Sequence, residues 1–554
     1  MKLPYLLLTA LAATPAFAQI TPPPAGDPGA IQQMRINEEE RRRQIERLER
    51  QQATEPIKDM TPVTPAVKTE QAGPRFLVRE VRFTTSEIFS QEELRTFARE
   101  VEGREVTLAE LQALAAKINE AYRSRRIVTA QAVIPPQNVS GGIVEIRLVE
   151  GRVGKINLNG NNSTRGEYIT GRLGQGPGDL VDLPNLEKDL ERFNRTNDVQ
   201  LRLVLAPGSV FGTTDFRIEA VEPQQHDLRL FIDNNGSAST GKWRAGLMYF
   251  NHSLLGYRDE LSLSTTQASG QESYSIGYSL PVNKMGGRLS LNFYQDYTEI
   301  LHGPYASLKL TGESTSGALS LRQPVYFDKT SQINLLASTK QRRTTNWISG
   351  ERLQRTDSLD GSLGAEFQKT DANGFWFATY SYTAGEAESP ASKNYEVGRG
   401  SILRNQTLAE DWALRGSMNF QHTPINILPS SEQMIIGGEG SVRGYQVGTY
   451  SGESGYGGSL ELHHPLGTLG KVDSSTAIAA KGFFFIDYAR VSPYRPGGSV
   501  LPKHQELGSL GWGVNSSIGK NLNARLTLGY ALNDVPLQPN SHYYVHFQLV
   551  ASLF

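Results

Sequence analysis

The sequence predicts a membrane β-barrel of about 16 antiparallel strands, preceded by two small α+β domains and a charged N-terminal helix. Three observations lead there. From His226 to Phe554 helical periodicity disappears, and short segments alternate apolar with polar residues. Between Phe76 and Pro223 one order of elements, strand–helix–helix–strand–strand, occurs twice. Ahead of both lies a run dominated by Glu and Arg, followed by a proline-rich stretch.

The barrel rests on alternation. In "NARLTLGYAL", Ala524, Leu526, Leu528 and Tyr530 oppose Arg525, Thr527 and Gly529. A soluble sheet turns the polar set to water; a membrane barrel turns it to the lumen and the apolar set to lipid. No stretch beyond the N-terminus offers the ~18 apolar residues of a spanning helix. A closed barrel is then the way for this chain to enter a bilayer. Tyr543 and Tyr544, near a strand end, suit an interfacial girdle. The barrel is expected over residues 226–554.

Upstream elements follow in order. Met1-Lys2, a leucine-rich core and Ala16-Phe17-Ala18 make residues 1–18 a signal peptide. Ile31 to Arg50, "IQQMRINEEERRRQIERLER", reads as a helix with few apolar residues. It suits either a solvated helix or short coiled coil, or a charged rod filling a wet pore. Residues 51–74, with Pro56, Pro62, Pro65 and Pro74, form an extended linker. The first α+β domain is expected over 75–150. It includes strand "FLVREVRF", a helix capped by Ser90 and Glu93, and a second helix carrying Leu108, Leu111, Leu114, Ala115 and Ile118. The second is expected over 151–224, with "TRGEYITGRL" and "DLPNLEKDLERFN" as helices.

Composition narrows the chemistry. The chain has no cysteine, which excludes disulfides and thiolate catalysis. Net charge is −1, so the whole chain gives no argument for nucleic acid. No nucleotide-binding G-x-x-x-x-G-K-[ST] motif occurs. His463 and His464 are adjacent in an alternating strand, so they point to opposite faces and do not suit a metal site. No catalytic constellation and no cofactor site are expected.

Two stretches stand out. "GGEGSVRGYQVG" sets Val442, Arg443, Gly444 and Tyr445 on a long glycine-rich loop. "FFIDYA" sets Phe485, Asp487 and Ala489 on one parity of a strand, shared with Lys481, which suggests a lumen-facing row. Glu461 shares parity with Ser459 and His463 and is expected to face the lumen as well.

With those pieces assembled, nearly the whole mature chain resembles the TpsB transporters of two-partner secretion. "TAQAVIPPQNVSGGIVEIRLVEGRVGKINLNGN" is similar to the passage between that family's two POTRA domains. "SVRGYQVG" matches its loop motif at Val442, Arg443, Gly444 and Tyr445. "FFIDYA" matches its F-x-D-x-G strand motif at Phe485 and Asp487, with Ala489 where glycine is usual.

The resemblance implies a bacterial outer-membrane pore with periplasmic POTRA domains. Its partner would be one large unfolded exoprotein of the adhesin, cytolysin, haem-binding or toxin class. It implies transport without nucleotide, contact with outer-membrane lipid, and the barrel-assembly machinery as partner during biogenesis. It also favours the plug role for residues 31–50 and an inward loop whose Arg443 meets Asp487. Rival readings are an outer-membrane barrel-assembly factor, a passive porin and an enzyme. Two POTRA units and a plug helix speak against the first, and tandem periplasmic domains against the second.

Overall fold

The computed structural model describes residues 26–52, 74–388, 394–425, 427–473, 476–495, 502–536 and 542–554. The expected signal peptide and residues 53–73 of the expected linker lie outside the described residues. Helix α1 spans Pro28–Gln52. It starts three residues before Ile31 because Asp27-Pro28 is a start signal: the Asp27 carboxylate accepts from the Ala30 N–H at 2.9 Å, and Pro28 takes the first helical position. It also runs two residues past Arg50, into what the sequence suggested was linker. At 25 residues it is about 37 Å long, more than a hydrocarbon core.

The first α+β unit has a three-stranded sheet with Ile143–Val149 at its centre. Glu80–Phe83 pairs parallel on one side and Gln131–Val133 antiparallel on the other. Helices Gln91–Ala98 and Leu108–Ser124 each begin with a complete capping box, Ser90/Glu93 and Thr107/Glu110. Their apolar faces meet the sheet in a core that includes Leu94, Leu111, Leu114, Ile118, Val144 and Ile146. "FLVREVRF" is not one strand. It breaks at Arg79, whose N–H bonds to the Gly142 carbonyl at 2.7 Å, and Phe76–Val78 joins a separate ladder with Arg104–Val106.

The second unit repeats the plan around Thr213–Val221, flanked by Arg152–Asn159 and Gln200–Pro207. Leu183–Thr196 closes its core with Leu186, Leu190 and Phe193. "TRGEYITGRL" yields only the five-residue helix Gly166–Thr170.

Sixteen strands close the barrel, from His226–Asp233 to Tyr543–Ser552, which pair with each other. Neighbours are antiparallel throughout. Leu291, Phe293, Leu335, Leu363, Phe484 and Ile486 are exposed on the outer wall, while Ser314, Asn334, Arg342 and Thr527 are buried inside. That is the apolar-out, polar-in order of a membrane barrel. Tyr543 is exposed as the girdle reading requires, but Tyr544 shares the parity of buried His546 and packs on it at 4.7 Å. The final strand ends at Ser552, so its face alternation does not extend to Phe554. The Phe554 carbonyl instead accepts from Leu228 N–H at 3.2 Å.

Arginines seat the second unit on the barrel turns that face it. Arg165 Nε donates to the Leu255 carbonyl at 2.9 Å, Arg172 to that of Asn283 at 3.3 Å, and Arg195 to that of Lys329. In return, Arg258 reaches from the barrel to Asp198, with Nε 2.8 Å from Oδ1. Arg258 is buried and holds φ +56°, a conformation a bulky residue keeps only when its surroundings fix it. Arg258→Ala is expected to loosen the joint at 222–226 and leave the barrel closed. Protease should cut the joint faster while the barrel keeps heat-resistant gel migration. An unchanged cutting rate contradicts the clamp.

Candidate functional site

The loop that joins strands Ala413–His422 and Ser454–Lys471 turns into the barrel. A short hairpin, Met434–Ile436 with Tyr450–Gly452, carries it down the wall, and its tip presents the four motif residues. The wall they meet is built by register. Ser459 lies opposite Asp487 and Glu461 opposite Phe485, with Phe483, Phe485 and Asp487 on the inward parity of strand Ala477–Ser492.

Arg443 is 2% exposed and Asp487 1%. The guanidinium grips the carboxylate in a fork, Nε to Oδ2 at 2.8 Å and Nη2 to Oδ1 at 2.6 Å. The Arg443 N–H also donates to Oδ2 at 3.1 Å. Nη2 donates to Ser459 Oγ at 2.7 Å, and Nη1 pairs with Glu461. The guanidinium carbon sits 3.7 Å from the centre of the Phe485 ring, so the aromatic face carries the cation. Burying these charges is costly in isolation; mutual pairing with full hydrogen bonding makes it tenable.

The other motif residues shape the seat. Val442 is buried with Ile436, Ala489, Val491 and Leu507. Gly444 has no space for a side chain: a Cβ there would lie 2.8 Å from Ser509 Cβ. Tyr445 donates from its hydroxyl toward the Gly508 carbonyl at 2.9 Å and accepts from Asn533 N–H at 2.9 Å. Ala489 packs against Gly457 on the next strand, where a Cβ would come within 2.9 Å of the Ala489 methyl. The missing glycine is thus compensated by one across the ladder.

Sequence reasoning missed two partners. His546, on the last strand, lies with Nε2 2.7 Å from the Arg443 carbonyl, and Gly529 leaves the space that carbonyl occupies. Inward parity was the only sign available for His546. Glu432 was missed altogether. It stands at the start of the inward loop, 1% exposed, among Lys340 Nζ at 2.9 Å, Arg399 Nη2 at 2.9 Å and Arg342 Nη1 at 3.3 Å. Burial works against its charge, but Lys340, Arg399 and Arg342 outweigh it and hold the carboxyl well below the usual range.

Helix α1 lies inside the same lumen. Arg35 Nη2 pairs with Asp296 at 3.0 Å, Gln33 Oε1 accepts from Arg342 Nη2 at 2.7 Å, and Arg41 Nη1 donates to the Gly440 carbonyl of the loop tip at 3.1 Å. Beside helix and loop a cavity of about 1620 Å³ persists, lined by Arg244, Arg288, Glu366 and Arg415 among others. His463 pairs with Glu461 at 2.8 Å, and among the described residues no His/Asp/Glu group is placed to hold a metal. The arrangement is a polar lumen obstructed by two elements, helix and loop, with ion pairs and hydrogen bonds to the wall and, for the loop, an apolar seat as well.

Comparison with known proteins agrees with this architecture. Residues 212–515 match the family described as haemolysin secretion/activation protein ShlB/FhaC/HecB, and residues 76–151 match the ShlB-type POTRA domain. An outer membrane transporter CdiB of Dickeya dadantii is 26% identical, across 75% of this chain and 78% of its own length. A heme/hemopexin transporter protein HuxB of Haemophilus influenzae is 24% identical, across 82% of this chain and 83% of its own. Among solved structures, CdiB from Escherichia coli superposes with a TM-score of 0.67 at 19% identity, covering 97% of this chain and all of that one. BamA from Haemophilus ducreyi lacking POTRA domains 1–3 shares the fold at a TM-score of 0.52 and 16% identity, covering 86% of this chain and all of that one. Barrel, periplasmic POTRA fold and family match converge: the chain belongs to the ShlB/FhaC/HecB family of two-partner secretion transporters, outer-membrane barrels with POTRA domains in the periplasm.

Proposed function

We propose that this protein moves one large unfolded exoprotein from periplasm to cell surface without nucleotide. The observation that carries the reading is the obstructed lumen of the barrel. Its wall is polar, and both α1 and the inward loop are held by side-chain contacts that can be exchanged without breaking the strand ladder. Residues 75–150 and 151–224 act as the capturing POTRA domains, residues 31–50 as the plug, and residues 226–554 as the conduit. Val442, Arg443, Gly444 and Tyr445 with Phe485, Asp487 and Ala489 form the seat that fixes the loop. Outward folding of the exoprotein supplies the drive. The names of relatives point to cargo classes: haem or hemopexin handling for HuxB, and haemolysin for ShlB of Serratia marcescens.

Each α+β unit has its own buried core, so residues 75–224 are expected to fold as a fragment. That fragment should retain the unfolded N-terminal part of the partner exoprotein in a pull-down. Full secretion by a chain lacking residues 75–224 contradicts the capture role.

A further inference from the structure

The wall around Gln32 surrounds its carboxamide with hydrogen-bond partners. Gln32 is fully buried, and each face of its amide is matched. Its NH2 donates to Asp296 Oδ2 at 2.7 Å and to the Ser314 carbonyl at 3.1 Å. Its oxygen accepts from Ser316 Oγ at 2.9 Å, Arg342 Nε at 3.1 Å and Ser314 Oγ at 3.3 Å. Asp296, Ser314, Ser316 and Arg342 are each no more than 2% exposed and lie on adjacent strands, Arg288–Glu299, Leu310–Phe327 and Ser331–Ile348. Two acceptors match the two N–H groups of a primary amide, and the donors on the oxygen side fill its two lone pairs; a carboxylate has no N–H and a hydroxyl only one donor, so neither can match the set.

The occupant belongs to α1. On the reading that α1 leaves during transport, this set is vacated inside the conduit. We propose that the Asp296–Ser314–Ser316–Arg342 cluster is a carboxamide-binding site that α1 fills at rest through Gln32 and that the passing polypeptide fills in transit. The shared ligand chemistry is the amide, and it has two sources: side chains of Asn and Gln, which match both acceptors, or the peptide group of an extended backbone, whose single N–H would serve Asp296 alone. Gln32 then acts as an internal competitor. Its replacement by the traversing chain exchanges one amide for another at the Gln32 contacts, while the Arg35 partner of Asp296 is given up to water as the lumen opens. Arg342 extends the consequence. It also donates to Gln33 Oε1 and pairs with Glu432 at the start of the inward loop, so one guanidinium contacts both obstructing elements.

The test is current block in planar bilayers, on a chain whose pore has been opened by deleting residues 26–52. Arg35→Glu in the full chain is a second opening variant, because it sets a carboxylate against Asp296. The probes are three synthetic peptides of equal length and charge: one rich in Asn and Gln, one with Ser and Thr in their place, and the second with its backbone nitrogens methylated. A side-chain site is expected to hold the Asn/Gln peptide about tenfold longer than the Ser/Thr peptide, the scale of one hydrogen bond to a charged group. A backbone site holds the first two alike and releases the methylated one about tenfold faster. In either case Ser316→Val and Arg342→Met should abolish the difference. Equal residence of all three peptides, or a difference that survives both wall substitutions, overturns the proposal while the transport reading stands. If neither opening variant raises conductance, α1 is not the plug, and the proposal falls together with that reading.

Discussion

Arg443→Ala is expected to reduce the partner exoprotein in the medium by roughly a hundredfold while the barrel still folds. The substitution strips Asp487 and Glu461 of the cation that both of them face. Breaking a buried charge pair by removing one partner costs about 3–5 kcal/mol, most of it the penalty of leaving the other charge bare. The closed strand ladder does not depend on that contact, so heat-resistant migration should persist. The loop does depend on it. A bias of about 3 kcal/mol displaces a two-position equilibrium by roughly a hundredfold. Arg443→Lys should also be impaired, because an ammonium cannot span both Asp487 oxygens and Ser459 while stacking on Phe485. The charge swap Arg443→Asp with Asp487→Arg is expected to recover only part of secretion, since Glu461 still faces the exchanged site. Normal secretion by both single variants removes any role for the pair.

Deleting residues 26–52 is expected to raise single-channel conductance severalfold. The helix fills a lumen whose remaining cavity is about 1620 Å³. It contributes no strand, so its loss leaves the barrel closed. Much of its hold on the wall is polar: Gln32 to Asp296, Arg35 to Asp296, Asn346 Nδ2 to Asp27 at 3.0 Å, and Gln33 to Arg342, beside the buried side chains of Ile31 and Ile36. Such contacts exchange with water at modest net cost, which suits a plug that must leave. Unchanged conductance in a correctly folded deletion variant contradicts the plug.

Much of this was legible in the sequence, for physical reasons that also explain the rest. Strand alternation is local, so the inward parity of Thr527 and Asp487 and the outward parity of Leu526 and Ile486 could be read directly. The closure at sixteen followed from counting such segments and from the even number that bacterial barrels adopt. The capping box at Ser90 is also a local signal. Non-local pairings gave no such sign. The break at Arg79 depends on Gly142, and the burial of Glu432 on Lys340, Arg342 and Arg399. These contacts join residues far apart in the chain, and neither periodicity nor composition records them. Gln32 was invisible for a different reason. In a polar helix it resembles its neighbours, and only the shape of the wall makes it specific.

The central claim is that α1 must leave the lumen for the exoprotein to pass. The chain has no cysteine, so a designed disulfide is free of competitors. A Cβ at Gly29 would lie 2.8 Å from Thr344 Oγ1, near the ~3 Å that separates a disulfide sulfur from the opposite Cβ. Gly29→Cys with Thr344→Cys should therefore tether the helix to the wall under oxidising conditions. Secretion of the exoprotein by the tethered protein is expected to stop, and to return with reductant to the level of the two single variants. Undiminished secretion by the fully cross-linked protein contradicts the claim.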